Sequence, residues 1–268
     1  MDLEDKRILI TGGTSGIGLE TAMAVGHKGA SVFVTGRRED GLRQALETLR
    51  LAGARAKGIV ADVATPGGRG ETLDAALSAM GGLDILMNNA GGVRAGRLEA
   101  VSEAEIRAMV EVDLVAPILL TRAALPALRA SGEGLIVNVS SGIALVGTPF
   151  YATYAAVKAG LAHFGEALRR ELQGEGIGVL TVYPGATDTP MMRSSRAGPD
   201  VGVNREPAAD VAAAIVDGIE TGAIEVVRGG ETRRQMVMLN RTDPQAVDRR
   251  FGELKDRLAE AVKDHSAL

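Results

Sequence analysis

The stretch from Arg7 to Gly18 joins a short apolar run to a glycine-rich turn and then to a helical pattern. The consecutive apolar residues Ile8 to Ile10 are typical of a parallel strand that is buried on both faces. Gly12, Gly16 and Gly18 permit a tight turn and a close approach of backbone to phosphate, and the N-terminus of the following helix offers free N–H groups. The stretch therefore predicts a cradle for a dinucleotide pyrophosphate, although its Gly-x-x-x-Gly-x-Gly spacing differs from the commoner Gly-x-Gly-x-x-Gly. A glycine turn without a ligand is the alternative.

Length, charge and composition restrict the class of protein. A chain of 268 residues is long enough for one α/β domain with a large core, and its net charge of −4 provides no overall attraction to nucleic acid or to an anionic membrane. The absence of cysteine excludes disulfides and thiolate metal sites, and the presence of only three histidines argues against a zinc site. The N-terminal residues lack the pattern of a signal peptide, and no apolar run approaches the roughly 20 residues that span a bilayer. We therefore expect a cytoplasmic protein with no metal, nucleic-acid or membrane partner.

Apolar runs and helical patterns alternate along the chain. Because parallel strands need a crossover between them, this order predicts an α/β fold with a doubly wound parallel sheet and helices on both faces. The six predicted strands are Ile8–Ile10, Ser31–Thr35, Ala56–Ala61, Leu83–Met87, Leu135–Val139 and Gly176–Val182. The predicted helices are Leu19–Lys28, Asp40–Leu51, Pro66–Met80, Glu103–Arg129, which Pro117 and Pro126 should bend or divide, and one from Tyr154 to about Gln173.

The end of the second strand indicates which cofactor the chain prefers. An acidic side chain about 20 residues past the glycines would bind a ribose 2′-hydroxyl, whereas arginines accommodate a 2′-phosphate. This chain has Arg37 and Arg38 at that point. NADP(H) is therefore favoured over NAD(H), because a guanidinium chelates a phosphate. The alternative is that the arginines are solvated, or are neutralised by Glu39 and Asp40.

Two further strand ends carry polar or glycine-rich segments. Asp62, followed by Val63, could accept a hydrogen bond from the adenine amino group or could instead cap the next helix. The fourth predicted strand runs into Asn88–Gly92, a second glycine-rich break. Because an open α/β sheet binds its ligand at the carboxyl ends of its strands, we expect both segments to lie beside the glycine turn.

Tyr154 and Lys158 are four residues apart and would lie one turn apart on the same face of a helix. A phenol with a pKa of about 10 ionises poorly at neutral pH, and a neighbouring ammonium favours its ionised form. Tyr154 could then exchange a proton with a carbonyl or alcohol oxygen, while Lys158 reaches the cofactor ribose and Ser141 holds the same oxygen by a hydrogen bond. A surface pair without function is the alternative, since Tyr-x-x-x-Lys recurs by chance.

Several motifs occur in the order that is typical of short-chain dehydrogenases/reductases, and the chain strongly resembles that family from about Lys6 to Thr189. The motifs are Thr11–Gly18, Asn88–Gly91, Ser141 followed by Tyr154-x-x-x-Lys158, and Pro184-Gly185-x-x-x-Thr189. The resemblance implies a Rossmann-type fold with seven parallel strands and hydride transfer to or from a nicotinamide. It implies Tyr154 as the acid/base, Lys158 lowering its pKa and Ser141 orienting the substrate. The cofactor-binding residues that it adds are Thr14, Ser15, Ile17, Asn89, Ala90, Gly91, Pro184, Gly185, Thr187 and Thr189, the last of which would contact the nicotinamide carboxamide.

The chain departs from the family pattern at Asp113. The family usually carries an asparagine there, which helps to hold a water that links the lysine to solvent. Asp113 can accept the same hydrogen bonds but cannot donate one, and it adds negative charge near Lys158. We therefore expect a functional but altered relay and place Asp113 among the catalytic residues, with a purely structural carboxylate as the alternative. Tyr151 cannot form the pair, because Ala155 stands four residues after it.

The predicted catalytic domain extends over residues 1–230, in which Ile224–Val227 resembles the family's last strand, although the connection from Pro207 to it is short. Residues 231–268 form a C-terminal extension, in which Pro244–Lys263 carries an apolar stripe typical of core or subunit contact, or of a lid over the substrate cleft. A substrate loop is predicted at residues 186–206. It would form a largely apolar pocket from Val93, Ile143, Leu145, Val146, Phe150, Met191 and Met192.

The favoured hypothesis is an NADP(H)-dependent oxidoreductase that acts on a small, uncharged or weakly polar carbonyl or alcohol. The resemblance implies a homodimer or homotetramer. The alternative is a sensor or scaffold that binds NADP(H) with little or no turnover. The intact Ser141, Tyr154 and Lys158 favour the enzyme, and Asp113 slightly favours the sensor. A nucleotide-sugar epimerase or dehydratase would need a longer C-terminal substrate domain than this chain has.

Overall fold

A central sheet of seven parallel strands organises the chain, and the computed structural model describes every residue from Met1 to Leu268. In chain order the strands are β1 (Arg7–Ile10), β2 (Ser31–Gly36), β3 (Arg55–Val60), β4 (Ile85–Asn88), β5 (Val93–Arg94), β6 (Gly134–Val139), β7 (Ile177–Tyr183), β8 (Thr187–Asp188), β9 (Glu206–Pro207), β10 (Glu225–Val227) and β11 (Ser266–Ala267). The order across the sheet is β10-β7-β6-β4-β1-β2-β3, and all neighbours are parallel. The predicted single-domain, doubly wound parallel sheet is confirmed.

Nine α-helices connect or follow these strands. They are α1 (Gly16–His27), α2 (Glu39–Leu51), α3 (Pro66–Met80), α4 (Glu103–Val110), α5 (Ala116–Ala130), α6 (Ala152–Glu171), α7 (Ala208–Thr221), α8 (Gly230–Thr242) and α9 (Pro244–Val262). None of them combines the length and the apolar content that crossing a membrane requires.

The predicted helix from Glu103 to Arg129 is divided into α4 and α5 by a π-helical turn, Glu111–Val115. Pro117 is the second residue of α5, directly after the π-helical turn, and having no N–H it cannot donate a backbone hydrogen bond to that turn. Pro126 lies inside α5, and the helix continues past it to Ala130. Pro126 therefore does not divide the helix, and that part of the prediction is wrong. The π-helical turn places Asp113 in the interior, where it is fully buried.

The segment after Pro207 contains two helices that the strand-based prediction missed. Helix α7 fills the connection to β10 and ends at Gly222, which adopts a left-handed conformation with φ of 69°. Its buried side chains, among them Val211 and Ile215, pack with the strands of the sheet. Helix α8 follows β10 directly and has no fully buried residue.

The two faces of the sheet bury separate hydrophobic cores. Along β1, Ile8 and Ile10 belong to one core and Leu9 to the other, because successive side chains of a strand point to opposite faces. The first core includes side chains of α1, α2 and α7, and the second includes side chains of α3, α5 and α6. Helices on both faces leave the carboxyl ends of the strands open, and the chain leaves β1 and β4 in opposite lateral directions there. This topological switch point is where open α/β sheets bind ligands.

The end of the chain returns to the carboxyl edge of the sheet. Strand β11 pairs antiparallel with β5, and the short strand β8 pairs with β9 in the region of the predicted substrate loop. Leu258 and Val262 of α9 are buried against Ala95, Ala197 and Val201. We call these five residues the C-terminal cluster. It joins the apolar stripe of α9 to the predicted substrate loop.

Candidate active site

The turn after β1 has a backbone shape that requires glycine. Gly12 has a φ of 63° and Gly16 a φ of 53°, in the left-handed region that residues with side chains rarely adopt. A Cβ on Gly18 would lie 2.5 Å from Nδ2 of Asn89 and 2.6 Å from the carbonyl oxygen of Gly12. Gly18 therefore lies behind the turn and lets α1 pack against it, whereas the other predicted residues line a cleft: Gly12, Thr14, Ser15, Gly16 and Ile17.

Asn89 holds this turn from the neighbouring strand. Its side-chain amide donates to the carbonyl oxygens of Thr11 at 2.9 Å and Gly12 at 3.1 Å. The backbone N–H groups of Asn89 and Ala90 both donate to Oγ1 of Thr11 at 3.0 Å. Both amide hydrogens of Asn89 are thus used within the protein, so this side chain fixes the shape of the cradle. Asn89, Ala90 and Gly91 also line the cleft.

Arg37 and Arg38 lie at the far end of the same cleft, just after β2. Both side chains are exposed, and neither forms an ion pair with Glu39, Asp40 or any other carboxylate. The structure therefore contradicts the alternative in which Glu39 and Asp40 neutralise the arginines. Two guanidinium groups remain available to a phosphate.

Asp62 and Val63 line the cleft near these arginines. The Asp62 carboxylate accepts a hydrogen bond from the backbone N–H of Ala64 at 3.0 Å. The N-terminus of α3 is instead capped by Thr65, whose hydroxyl accepts from the N–H of Gly68 at 3.0 Å. The alternative in which Asp62 caps this helix is therefore wrong, and one carboxylate oxygen of Asp62 is left without a protein partner.

Ser141, Tyr154 and Lys158 meet at the carboxyl end of β6. The hydroxyl of Ser140 donates to the carbonyl oxygen of Lys158 at 2.7 Å and so fixes the strand end against α6. Nζ of Lys158 lies 5.7 Å from the centre of the Tyr154 ring. The Ser141 hydroxyl accepts from the N–H of Ile143 at 3.3 Å and lies close enough to Tyr154 to influence the pKa of its hydroxyl. A hydroxyl, a phenol and an ammonium therefore converge on one point of the cleft.

Lys158 forms a buried ion pair with Asp113. The distance from Nζ to Oδ1 is 3.0 Å, and the side chains are 4% and 0% exposed. Nζ also donates to the carbonyl oxygen of Val139 at 3.0 Å, so one of its three hydrogens remains for another acceptor. The carboxylate accepts from the N–H of Gly92 at 3.2 Å, and a Cβ on Gly91 would lie 2.5 Å from Oδ1. Asp113 does not line the cleft, and it contacts the cleft residue Lys158 from behind.

Burial raises the pKa of the Tyr154 hydroxyl above its ordinary value, and the surrounding charges act in opposite directions. Lys158 and the neighbouring Ser141 hydroxyl lower the pKa of Tyr154, whereas Asp113 raises it. Burial lowers the pKa of Lys158, but the charges of Asp113 and Tyr154 and the hydrogen bond to Asp113 together outweigh burial, and the pKa is raised. The expected lowering by Lys158 is thus outweighed in the protein alone. A further positive charge beside Tyr154 would favour its ionised form.

The segment after β7 closes the cleft between the glycine turn and Tyr154. The carbonyl oxygen of Pro184 accepts from the N–H of Gly142 at 2.8 Å, and the hydroxyl of Thr187 donates to the carbonyl oxygen of Gly185 at 3.1 Å. Thr189 lies against the turn, since a Cβ on Gly16 would be 3.0 Å from its Cγ2. The predicted residues of this segment all line the cleft: Pro184, Gly185, Thr187 and Thr189.

The cleft has a volume of about 640 Å³ and continues past Tyr154 into a second region. Four of the predicted substrate-pocket residues line it, namely Val93, Ile143, Met191 and Met192. Leu145, Val146 and Phe150 do not, and Phe150 packs on the C-terminal cluster instead. Sequence reasoning missed Thr148, Tyr151, Arg233, Leu258, His265, Ala267 and Leu268 as lining residues. The apolar stripe of α9 was the one signal that pointed to Leu258.

His265 joins the end of the chain to the predicted substrate loop. Its Nε2 lies 3.1 Å from the carbonyl oxygen of Met191; because a carbonyl only accepts, Nε2 carries the hydrogen. Nδ1 then accepts from the hydroxyl of Tyr151 at 2.8 Å. Burial lowers the pKa of His265, so the ring is neutral at pH 7. Ser194 donates to the carbonyl oxygen of Ser266 at 3.1 Å, which adds a second contact between tail and loop.

Comparison with known proteins identifies the family. Residues 6–200 match the short chain dehydrogenase family. The chain is 31% identical over 253 residues to the ketoacyl reductase HetN of Nostoc, covering 92% of this chain and 88% of that protein. It is 38% identical over 199 residues to a putative ketoacyl reductase of Streptomyces coelicolor, covering 73% and 76% of the two chains.

Two solved structures have the same fold. A tryptophan variant of the actinorhodin polyketide ketoreductase with NADPH superimposes with a TM-score of 0.79 at 32% identity, covering 84% of this chain and 96% of that one. A short chain dehydrogenase from Burkholderia cenocepacia in complex with NADP gives a TM-score of 0.79 at 34% identity, covering 86% and 98%. The chain is therefore a member of the short-chain dehydrogenase/reductase family of oxidoreductases.

Proposed function

We propose that this protein is an NADP(H)-dependent oxidoreductase that interconverts a small carbonyl compound and its alcohol. The observation that carries the proposal is the placement of Ser141, Tyr154 and Lys158 in one cleft with two unpaired arginines, Arg37 and Arg38. The names of the relatives, which are ketoacyl reductases, and the NADPH and NADP complexes among the similar structures support it.

The residues of the cleft fit the dinucleotide phosphates. A pyrophosphate would bind at the start of α1, because the left-handed Gly12 and Gly16 shape the turn there and the first N–H groups of a helix have no partner within the helix. Arg37 and Arg38 would hold a 2′-phosphate, and Asp62 would accept from the adenine amino group through its free oxygen. Thr189 would contact the nicotinamide carboxamide.

The bound cofactor would supply or accept a hydride. In reduction, the Tyr154 hydroxyl would donate its proton to the carbonyl oxygen, and in oxidation the phenolate would remove the proton of the alcohol. Ser141 would hold the same oxygen by a hydrogen bond. Lys158 would stabilise the phenolate by its charge and donate its remaining hydrogen to the nicotinamide ribose. Asp113 would position Lys158 and partly offset the effect of its positive charge on Tyr154.

One observation favours the alternative of a cofactor-binding sensor with little or no turnover. Asp113 neutralises much of the charge of Lys158, and the pKa of Tyr154 is raised in the protein alone. A phenol that ionises less readily is a poorer base for alcohol oxidation, but it remains a proton donor for carbonyl reduction. The two candidates therefore differ in one measurable property, the NADPH-dependent reduction of a carbonyl compound. The Tyr154→Phe variant tests whether such reduction depends on this phenol.

Substitution of Asp113 by Asn should shift the pH dependence of turnover towards lower pH. Asp113 raises the pKa of Tyr154, so its removal lowers that pKa. Alcohol oxidation needs the phenolate and rises with pH, whereas reduction needs the phenol and falls with pH; both limbs should therefore move to lower pH. On the rising limb we expect oxidation to be about 10-fold faster, which corresponds to about 1.4 kcal/mol. The measurement is kcat/KM against pH in both directions.

Glu111→Gln is the matched control for this experiment. Glu111 lies in the same π-helical turn and pairs with Arg69 at 3.4 Å, so the substitution removes the same charge without touching Lys158. Its pH profile should resemble that of the unmodified protein. An unmoved profile in Asp113→Asn would mean that Asp113 is a structural carboxylate only.

Substitution of His265 by Ala should raise KM for the carbonyl substrate about 10-fold. The change removes the hydrogen bonds that tie the tail to Tyr151 and to the Met191 carbonyl, and so loosens one wall of the substrate region. We expect the mass in solution to stay the same, because these contacts lie within one chain. Steady-state kinetics and light scattering measure the two quantities.

His163→Ala is the control, since that imidazole is 82% exposed on α6. It should change neither KM nor mass. A change in mass with an unchanged KM in His265→Ala would indicate that the tail serves subunit contact and does not form the substrate wall.

We further infer a homodimer or homotetramer, as the family resemblance implies. Light scattering on the unmodified protein tests this inference.

A further inference from the structure

The substrate end of the cleft contains one guanidinium that lies against Gly142, the residue after Ser141. Arg233, in the first turn of α8, donates from Nη1 to the carbonyl oxygen of Gly142 at 3.2 Å. A Cβ on Gly142 would lie 2.7 Å from Cζ of Arg233, so the guanidinium occupies the space that a side chain at 142 would fill. Gly142 follows Ser141 in the chain, and Arg233 lines the cleft. The glycine thus allows a positive charge to reach the catalytic centre.

The charge of Arg233 has no protein partner. Its neighbour Arg234 pairs with Glu231 at 2.8 Å, and Arg228 pairs with Glu206 at 2.7 Å, but no carboxylate lies within 4.0 Å of Arg233. The side chain is half-buried, and burial lowers its pKa because water is removed without a compensating charge. An anion at this position would recover that unfavourable free energy.

The rest of the cleft wall has the same sign of charge. Asp62 is the one acidic side chain that lines the cleft, and it lies at the adenosine end, while Lys158 is already paired with Asp113. The substrate end therefore carries the side-chain charges of Arg193 and Arg233 with no acidic side chain paired to either, in a chain whose net charge is −4. A cleft of this kind raises the local concentration of anions.

We infer that the substrate carries an anionic group, a carboxylate or a phosphate, which binds Arg233 while Ser141 and Tyr154 hold its carbonyl. A guanidinium offers paired N–H donors that match either oxyanion. Consecutive Cα atoms are about 3.8 Å apart. A substrate whose anionic group binds beside Gly142 and whose carbonyl is held at Ser141 would therefore have only a few bonds between the two groups. This inference rests on the proposed function. It differs from the uncharged or weakly polar substrate that the apolar pocket residues predict.

Matched pairs of compounds with and without the anion test the inference. The probes are acetoacetate and levulinate with their methyl esters, and acetonylphosphonate with its dimethyl ester. Binding of each probe is measured by calorimetry to Tyr154→Phe protein saturated with NADPH, because this variant should bind without turning over. Reduction of the same probes by the protein with Tyr154 intact is measured separately.

We expect at least one anion to bind 10-fold or more tightly than its ester, a difference of about 1.4 kcal/mol. Preference within the carboxylate pairs or the phosphonate pair identifies which oxyanion the site takes. Arg233→Gln, which keeps a donor for the Gly142 carbonyl but removes the charge, should lower this ratio about 10-fold. Arg233→Lys should retain part of it. Gly142→Ala should lower it as well, because the new Cβ displaces the guanidinium.

Arg234→Gln is the control, since Arg234 is the next residue of α8, is exposed and does not line the cleft. It should leave the ratio unchanged. Equal binding of anion and ester in every pair, or the same ratio in Arg233→Gln as in Arg234→Gln, would overturn the inference. If the esters are reduced but the ratio of anion to ester affinity is the same in both variants, the proposed function would hold and the inference about the anion would not. Anion binding that depends on Arg233, without NADPH-dependent reduction of any probe, would support the inference and contradict the proposed function.

Discussion

Tyr154→Phe should lower kcat for carbonyl reduction about 1,000-fold, while the Kd for NADPH changes by less than about 2-fold. The substitution removes the hydroxyl that would donate the proton, and general acid catalysis of this kind contributes about 10² to 10⁴ in rate. The ring itself remains, so the wall of the cleft and the position of Lys158 over it are kept. Single-turnover oxidation of NADPH and a fluorescence titration measure the two quantities.

Tyr183→Phe provides the matched control. Tyr183 ends β7, lies 3.4 Å from Glu225 through its hydroxyl and does not line the cleft. The same loss of one oxygen there should leave kcat within about 2-fold. If Tyr154→Phe and Tyr183→Phe have the same kcat, Tyr154 is not the acid. If Tyr154→Phe loses NADPH binding as well, its role is in holding the cofactor and not in proton transfer.

Replacing Arg37 and Arg38 together by Ala should weaken NADPH binding about 100-fold and change NADH binding less than about 3-fold. A hydrogen bond to a charged group contributes about 1.5 to 3 kcal/mol, and the lower value applies to these exposed side chains. Two such interactions give about 3 kcal/mol, which is about 100-fold in affinity. NADH lacks the 2′-phosphate and so should not sense the change. Parallel titrations with both cofactors measure the difference.

Arg43→Ala is the control for this pair, because Arg43 is exposed on α2 and does not line the cleft. It removes a charge from the same surface, so any general electrostatic effect on an anionic cofactor should appear in both variants. An equal loss of NADPH and NADH affinity in the double variant would show that the arginines contact a part common to both cofactors. In that case the preference for NADP(H) would be wrong.

The sheet and the glycine turn were predictable because their signals are local. A parallel strand buried on both faces is a run of apolar residues, and β1, β4 and β6 each appear in the sequence as such a run. The left-handed Gly12 and Gly16 are required by the turn itself, so the glycines mark its position. The spacing of Tyr154 and Lys158 placed both on one face of α6 before any tertiary contact was known.

The electrostatics of the site could not be predicted, because they depend on burial. The sequence suggested that Lys158 would lower the pKa of Tyr154, and it does act in that direction. The depth of the phenol and the 3.0 Å approach of Asp113 to Lys158 reverse the net result. Asp113 reaches that position through a π-helical turn, and no short sequence signal marks the extra residue of such a turn.

The substrate region was the least predictable part for a related reason. Arg233, His265 and Leu268 come from α8 and the end of the chain, far in sequence from Ser141, and are brought to the cleft by long-range packing. Helix α8 has no fully buried residue and is rich in polar and charged side chains, so its sequence gives no sign that it contacts the cleft. The stripe of α9 indicated burial but not the partner, which is the C-terminal cluster beside the substrate loop.

Transfer of deuterium from NADPH labelled at the reactive nicotinamide carbon tests the central claim most directly. The protein is incubated with labelled NADPH or labelled NADH and with the keto compounds named above, and the alcohol product is analysed by mass spectrometry. We predict one deuterium on the former carbonyl carbon, with formation at least 10-fold faster from NADPH than from NADH. Absence of labelled alcohol from every compound, in protein that binds NADPH, would contradict the assignment of an oxidoreductase and favour a cofactor-binding sensor.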